Sequence, residues 1–250
     1  MDNQMSLRSD YDLWHDRIDR GDPEHDDATS PWYLLVREYL VNVDGLKVLE
    51  VACGLGGFVR ALARAGANVI GCDFSLRALQ AARKKIANGE QTHAATLVQA
   101  DAQNLPFAAD TFDLVVSCET IEHLPDDQKA LAEMFRVTRP GGKLFLTTPN
   151  YLNLIGLYDV YAKFRHPNKV DDQPFDRRQL FVQVKRKIRS AGWSILRTDG
   201  TVHQFPVIPG HNPVRWEGLE LLPVIRKLLS PISLHYFVMA QKTLHYKLAS

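Results

Sequence analysis

A chain of 250 residues, 45% hydrophobic and 24% charged, has the composition of a globular protein and is long enough to bury a sizeable core in one α/β domain. Thirty basic against 29 acidic residues leave a formal charge of +1, which excludes an overall field for holding a phosphate backbone or an acidic membrane. No apolar run approaches the roughly 20 residues that span a bilayer, and Met1-Asp2-Asn3-Gln4 lacks a basic-then-apolar signal pattern, so the expected location is cytoplasmic.

The first 40 or so residues are polar and mixed in charge, with a break at Gly21-Asp22-Pro23-Glu24 and an amphipathic helix opening at Pro31-Trp32-Tyr33-Leu34-Leu35. Residues 1–45 read as a helical lid ahead of a main domain at 46–250, with Trp14, Trp32 and Tyr33 as packing anchors. From Lys47 buried strands alternate with helices. The strand Val48-Leu49-Glu50-Val51 runs into the glycine turn Cys53-Gly54-Leu55-Gly56-Gly57, and a helix follows at 58–64. A second strand at 68–72 ends in Asp73, and Ser75 is a good N-cap for a helix reaching about residue 87. Strands at 96–99 and 112–117, a helix at 128–137, the turn Arg139-Pro140-Gly141-Gly142 and a strand at 143–148 continue the alternation, which implies a parallel, doubly wound sheet.

After Pro149 the rhythm breaks. A helix at 177–191, a strand at 193–198 and a last strand at 234–240 complete the sheet. Two irregular stretches, about 150–174 and 203–230, read as insertions over the ligand-binding edge; their Tyr151, Tyr158, Phe164, His203, Phe205, His211 and Trp216 would form an aromatic, partly apolar pocket. The amphipathic run at 219–229 either meets a membrane surface or lipid-like substrate, or packs on the domain or forms a homodimer contact. Lys185-Arg186-Lys187-Ile188-Arg189 reads as a solvated helix face. Cys53, Cys72 and Cys118 each lie in or beside an apolar run without ligand-type spacing, as buried free thiols would.

The glycine turn suits a ligand that approaches the backbone closely. A dinucleotide fingerprint would want a third glycine at position 59, where Val59 stands, which argues against NAD. Asp73, 19 residues after Gly54 and followed by Phe74, can accept hydrogen bonds from both ribose hydroxyls, or can cap the helix at Ser75. At the end of the third strand Asp101 can accept from an exocyclic adenine amine, and Ala102 can donate its N–H to the ring.

These strand ends, with Val48-Leu49-Glu50-Val51-Ala52-Cys53-Gly54-Leu55-Gly56, Asn104-Leu105-Pro106-Phe107, Phe112-Asp113-Leu114-Val115 and Arg139-Pro140-Gly141-Gly142-Lys143-Leu144, resemble the class I S-adenosylmethionine-dependent methyltransferases over about residues 46–148 plus the closing strands. The resemblance implies a Rossmann-like α/β fold: a doubly wound, mostly parallel seven-stranded sheet with an antiparallel last strand, here with inserted cap segments. It implies S-adenosylmethionine as cofactor, with Gly54 and Gly56 passing the methionine moiety, Asp73 the ribose and Asp101 with Ala102 the adenine. Cys118 would face the cofactor, and Glu50 and Phe74 are further cofactor-binding candidates.

The fourth strand delivers Cys118-Glu119-Thr120-Ile121-Glu122-His123-Leu124 to the edge where ligands bind in open α/β sheets. Three readings stand side by side. His123, with Glu122 beside it, could be the general base for an acceptor hydroxyl; Glu119, Glu122 and His123 could bind a divalent cation that orients the acceptor oxygen; or one acid caps the next turn while His123 packs near Gln128. The acidic-x-x-Glu-His arrangement resembles quinone-biosynthesis O-methyltransferases and small-RNA 2′-O-methyltransferases, where it is a metal site. Thr147-Thr148-Pro149-Asn150-Tyr151 also resembles the RNA family, but its later metal-binding histidine has no counterpart, the chain reading Asp171-Asp172-Gln173-Pro174-Phe175. With the neutral charge, this counts against nucleic acid as acceptor. The expected activity is O-methylation of a small, fairly hydrophobic molecule; the alternatives are a glycan, lipid or RNA terminus, or a non-catalytic S-adenosylmethionine-binding module.

Overall fold

Val48, Leu49 and Val51 are wholly buried, so strand β1 (Lys47–Val51) must have neighbours on both edges and cover on both faces. The computed structural model describes residues 2–21, 27–87, 95–151, 174–177, 179–205, 214–215, 218 and 222–243. In it β1 pairs in parallel with β2 (Asn68–Asp73) and with β4 (Phe112–Cys118). The full sheet has seven strands in the order β3-β2-β1-β4-β5-β9-β6, with β3 at Ala95–Gln99, β5 at Thr138–Pro149, β6 at Trp193–Thr201 and β9 at His235–Lys242. Only β9 runs against the rest, inserted antiparallel between β5 and β6. A two-residue pair, β7 (Gln204–Phe205) with β8 (Val214–Arg215), stands apart.

Alternation along β1 divides the core. Val48 points with Val69, Leu114, Val116 and Phe237 into one apolar cluster, covered by α2 (Pro31–Tyr39) and α3 (Gly57–Arg64). Leu49 and Val51 point with Val115, Leu144, Leu146 and Val238 into the other, covered by α5 (Asp127–Val137) and α6 (Phe181–Ser190). Between them α4 (Leu76–Ala87) follows β2, and the Ser75 hydroxyl accepts from Ala78 N–H at 3.1 Å, the expected N-cap. Asp126 caps α5 likewise, accepting from Lys129 N–H at 2.9 Å.

The elements expected from sequence are present, with ends moved by their pairing. Strand β5 starts at Thr138 rather than at 143, because Thr138 already pairs with Phe112 ahead of a register shift. Strand β6 continues to Thr201 and β9 to Lys242, each held by the other. Helix α6 begins at Phe181 rather than at 177, since Arg177 N–H is instead bound to the Glu122 carbonyl at 2.8 Å. The polar N-terminal stretch contains one long helix, α1 (Asp2–Gly21). The break at 22–24 and most of the 150–174 stretch lie outside the described residues. All three cysteines are free and buried, as expected.

The 219–229 run holds a short helix, α7 (Pro223–Leu229), whose inward group is charged rather than apolar. Arg226 grips Glu38 through both amino groups at 2.9 and 2.6 Å and reaches buried Asp199 at 2.9 and 3.2 Å, while Tyr39 donates its hydroxyl to the same carboxylate. Leu222, Val224 and Leu228 are left exposed. No helix among the described residues is long and apolar enough to cross a membrane.

Removing one member of such a buried pair strands a charge. Arg226→Met is therefore expected to lower unfolding free energy by about 3–5 kcal/mol in denaturant titrations. Adding Asp199→Asn should recover much of the loss; a double variant no more stable than the single one would show that packing, not charge, sets the cost.

Candidate active site

The strand order reverses between β1 and β4, and there the carboxyl ends of β1, β2, β3 and β4 open onto a cavity of about 540 Å³. Val51, Ala52, Gly54 and Leu55 line it after β1; Cys72, Asp73 and Phe74 after β2; Asp101, Ala102 and Gln103 after β3. Cys118, Glu119, Thr120, Glu122 and His123 follow β4, with Pro149 and Tyr151 beyond β5. His235 opens β9, and because that strand is antiparallel its first residue reaches the ligand edge, opposite Pro149.

The turn after β1 is held in an unusual shape, with φ at +59° for Ala52 and +50° for Gly54. Asp73 fixes it. One carboxylate oxygen accepts Gly54 N–H at 2.9 Å and the other accepts Ser75 N–H at 2.8 Å, so the capping geometry and the ligand-facing position belong to the same side chain. Asp101 folds over its own turn, accepting from the Gln103 backbone N–H at 2.8 Å, and Phe74 lies beneath the Arg8 guanidinium at 4.6 Å.

Two expected ligand contacts stand behind the lining. Glu50 shares the Val48 face, is fully buried, and accepts the Tyr33 hydroxyl at 2.7 Å; it is Tyr33 that meets the cavity. Gly56 has φ +76°, and an added Cβ would sit 2.8 Å from the Ala82 Cβ, so this glycine serves α3–α4 packing.

One wall comes from the N-terminal helix, through Leu7, Tyr11, Trp14, His15 and Ile18, and is continued by Trp32 and Tyr33. The helix is docked by Asp12, which accepts from the Ser75 hydroxyl at 2.6 Å and from Arg77 N–H at 3.1 Å, a second carboxylate at the start of α4. Among the described residues, the supposed packing anchors Trp14, Trp32 and Tyr33 are part of the aromatic wall. Of the insertion residues Tyr151 lines the cavity, while His203 is buried away from it. Tyr158, Phe164, His211 and Trp216 lie outside the described residues, as does the side chain of Phe205.

At the β4 edge Glu119 has φ +48°, a left-handed conformation unfavourable for glutamate. Its Oε2 accepts His235 Nδ1–H at 2.8 Å, and its Oε1 is buried without a hydrogen-bond partner among the described residues. Glu122 Oε2 accepts the Thr148 hydroxyl at 2.9 Å, and Oε1 lies 3.5 Å from His123 Nε2. His123 Nδ1–H donates to the Phe175 carbonyl at 2.7 Å, not to the helix near Gln128. Burial, reinforced by the Glu119 charge, holds the Glu122 carboxyl well above the usual carboxylate range, and burial lowers His123. Burial also raises the Cys118 and Cys72 thiols, with Cys72 pushed beyond any physiological titration.

These contacts do not support the metal reading of Glu119, Glu122 and His123: Glu119 turns to His235, Glu122 to Thr148 and His123 Nδ1 to Phe175. Among the described residues no three His, Cys, Asp or Glu side chains are arranged to hold a metal ion. His235, His15 and Asp176 are cavity residues that sequence reasoning missed; an antiparallel closing strand that begins with a histidine was the available signal for the first.

A methyltransferase-domain family model matches residues 49–146. A demethylmenaquinone methyltransferase from Clavibacter sepedonicus is 34% identical over 143 residues, 56% of this chain and 57% of the relative. One from Paenarthrobacter aurescens is 31% identical over 186 residues, 72% of this chain and 67% of the relative. The chain spans little more than half the length of the first of these. Among solved structures, an S-adenosylmethionine-dependent methyltransferase from Mesorhizobium loti superposes with a TM-score of 0.60 at 20% identity, covering 84% of this chain and 96% of that one.

The raised Glu122 has a readable sign. In the unfolded chain glutamate ionises above about pH 4.3, and in the fold burial raises the Glu122 carboxyl well above that, so its share of stability is present below that pH and is lost as pH rises towards the folded value. Glu122→Gln should therefore be more stable than the parent at neutral pH, with the difference vanishing in acid. Denaturant midpoints across pH check this; a pH-independent difference would mean that the carboxyl is ionised in the fold.

Proposed function

Since this chain belongs to the class I S-adenosylmethionine-dependent methyltransferases, we propose that it transfers the methyl group of S-adenosylmethionine to a small, mostly apolar acceptor, with an oxygen as the receiving atom. One observation carries the reading: a cavity with an apolar wall of Leu7, Trp14, Ile18 and Trp32 faces a cluster of Glu119, Glu122, His123 and His235, beside the glycine turn of β1. A largely apolar enclosure with a few convergent polar groups is what a small hydrophobic molecule needs. The relatives named for demethylmenaquinone point to the same class of acceptor.

The strand ends fit the cofactor. Gly54 brings bare backbone to the cavity. Each Asp73 oxygen already accepts one N–H and has a second lone pair for a ribose hydroxyl. Asp101 and Ala102, which line the cavity after β3, would take the adenine, and Cys118 lines the same cavity. When bound, S-adenosylmethionine supplies a methyl group on a sulfonium, an electrophile that needs little covalent assistance. The chain's own task is to orient the acceptor and exclude water. Residues 1–45 act as the lid for that purpose, α1 forming the wall opposite the strand ends.

His123 and Glu122 meet the acceptor hydroxyl. The Phe175 carbonyl fixes the His123 tautomer so that Nε2 carries the lone pair, and Glu122, kept in its neutral form by burial, can donate its proton in a hydrogen bond. The pair thus offers one acceptor and one donor to the same hydroxyl.

Two measurements test this. Asp73→Ala is expected to weaken binding of S-adenosylhomocysteine by roughly 1–3 kcal/mol in calorimetry, the cost of unpaired ribose hydroxyls; unchanged affinity in a folded variant would refute the ribose assignment. Incubation with methyl-labelled S-adenosylmethionine and a fractionated extract of the source cells should place label in an organic-soluble fraction, as an ether on product analysis. Label on carbon would overturn the choice of atom, and label confined to RNA or glycan would overturn the substrate class.

A further inference from the structure

Two histidines reach the acceptor side of the cavity, and they are not equivalent. His123 rests Nδ1 on a backbone carbonyl, its burial works against a positive charge, and the nearest acid, Glu122, is itself held towards its neutral form. A carbonyl dipole offsets little of the charge that an imidazole gains with a proton. His235 instead gives its Nδ1–H to a carboxyl, Glu119 Oε2, at 2.8 Å.

The remaining geometry at His235 suits proton uptake. With Nδ1 committed as donor, Nε2 carries the lone pair, and His235 lines the cavity. The imidazole is packed against the Trp32 ring, centroids 4.7 Å apart, which limits its rotation. Both His235 and Glu119 line the cavity, yet their side chains are only 14% and 16% exposed, so bulk water does little to weaken their interaction. Glu119 is held at a left-handed φ while its other oxygen stays buried and unpaired. Strain and an unsatisfied carboxyl oxygen at one residue are costs that a structural role at this edge does not require.

We propose that His235 is the group that takes the proton from the acceptor hydroxyl, with Glu119 as the positioning residue that orients the ring. This rests on the reading of the acceptor as a hydroxyl compound. The acceptor O–H bond breaks, the proton joins the Nε2 lone pair and the bonding electrons stay on oxygen. A neutral hydroxyl and a neutral imidazole become an oxyanion and an imidazolium whose Nδ1–H remains on Glu119; the imidazolium later gives its proton to water. The hydroxyl carries one hydrogen, which the His235 lone pair takes in competition with that of His123, while Glu122 holds the oxygen by donating to it.

The test reads ionisation rather than methyl transfer. The full chain, saturated with S-adenosylhomocysteine, is titrated with 4-nitrophenol at a pH below that phenol's own ionisation, and the phenolate absorbance band is followed. The wild type should ionise the bound phenol; His235→Gln should lower the ionised fraction at least tenfold, and Glu119→Gln severalfold, with S-adenosylhomocysteine affinity within about twofold of the parent as evidence of folding. If His235→Gln fails that folding criterion, Glu119→Gln alone decides: an unchanged ionised fraction overturns the proposal. It is equally overturned if the wild type shows no phenolate, or if ionisation persists in His235→Gln and disappears in His123→Gln. A wild type that ionises the phenol but labels nothing in the transfer assay would refute the methylation reading and leave proton uptake by His235 standing.

Discussion

Strand β1 bonds in parallel to β2 on one edge and β4 on the other, and right-handed crossovers to opposite edges must cross opposite faces of the sheet. Helix α3 accordingly packs with Val48 and Val69, and α5 with Leu49 and Val115. Among the described residues a crevice stays open between the departing connections, above β1 and β4. Asp73, Asp101, Glu119 and His235 stand on the rim of that gap, at strand ends whose register is set by backbone pairing rather than by the ligand.

Asp73 shows how economically the rim is braced. Its two oxygens hold the turn after β1 and the start of α4 in a fixed relation. Asp12 then adds α1 to the same helix start. A ligand entering the cavity meets a preformed turn on one side and a wall attached through a helix cap on the other, and preorganisation of this kind lowers the entropy lost on binding.

Much of this was legible in the chain. Alternating apolar runs and a glycine turn specify a doubly wound sheet because strands buried on both faces have few other solutions. The positions of Asp73, Asp101 and Glu119 followed from their places just beyond strand ends. What escaped was whatever depends on three dimensions: whether Gly56 faces a ligand or Ala82, on which side of β1 Glu50 falls relative to Tyr33, and which partner each acid at the β4 edge chooses. A tight run of Glu, Glu and His suggests a shared ion, yet a 3-10 turn at Ile121–His123 sends those side chains to different neighbours. At 219–229 apolar spacing left open which face turns inward; in the described part an arginine bound to two acids does so.

The separation between the two halves of the cavity has an evolutionary side. The groups proposed for the cofactor sit on strands whose pairing builds the core, where almost any change is paid for in folding. The opposite wall is a helix at the head of the chain, attached mainly through Asp12 and its neighbours. Residues such as Leu7, Trp14 and Ile18 can therefore drift with little penalty to the sheet. Under the proposed function, a lineage built on this plan could trade one acceptor for another by rewriting the cavity-facing residues of α1, keeping Arg8 on Phe74 and Asp12 at the start of α4 as its joints.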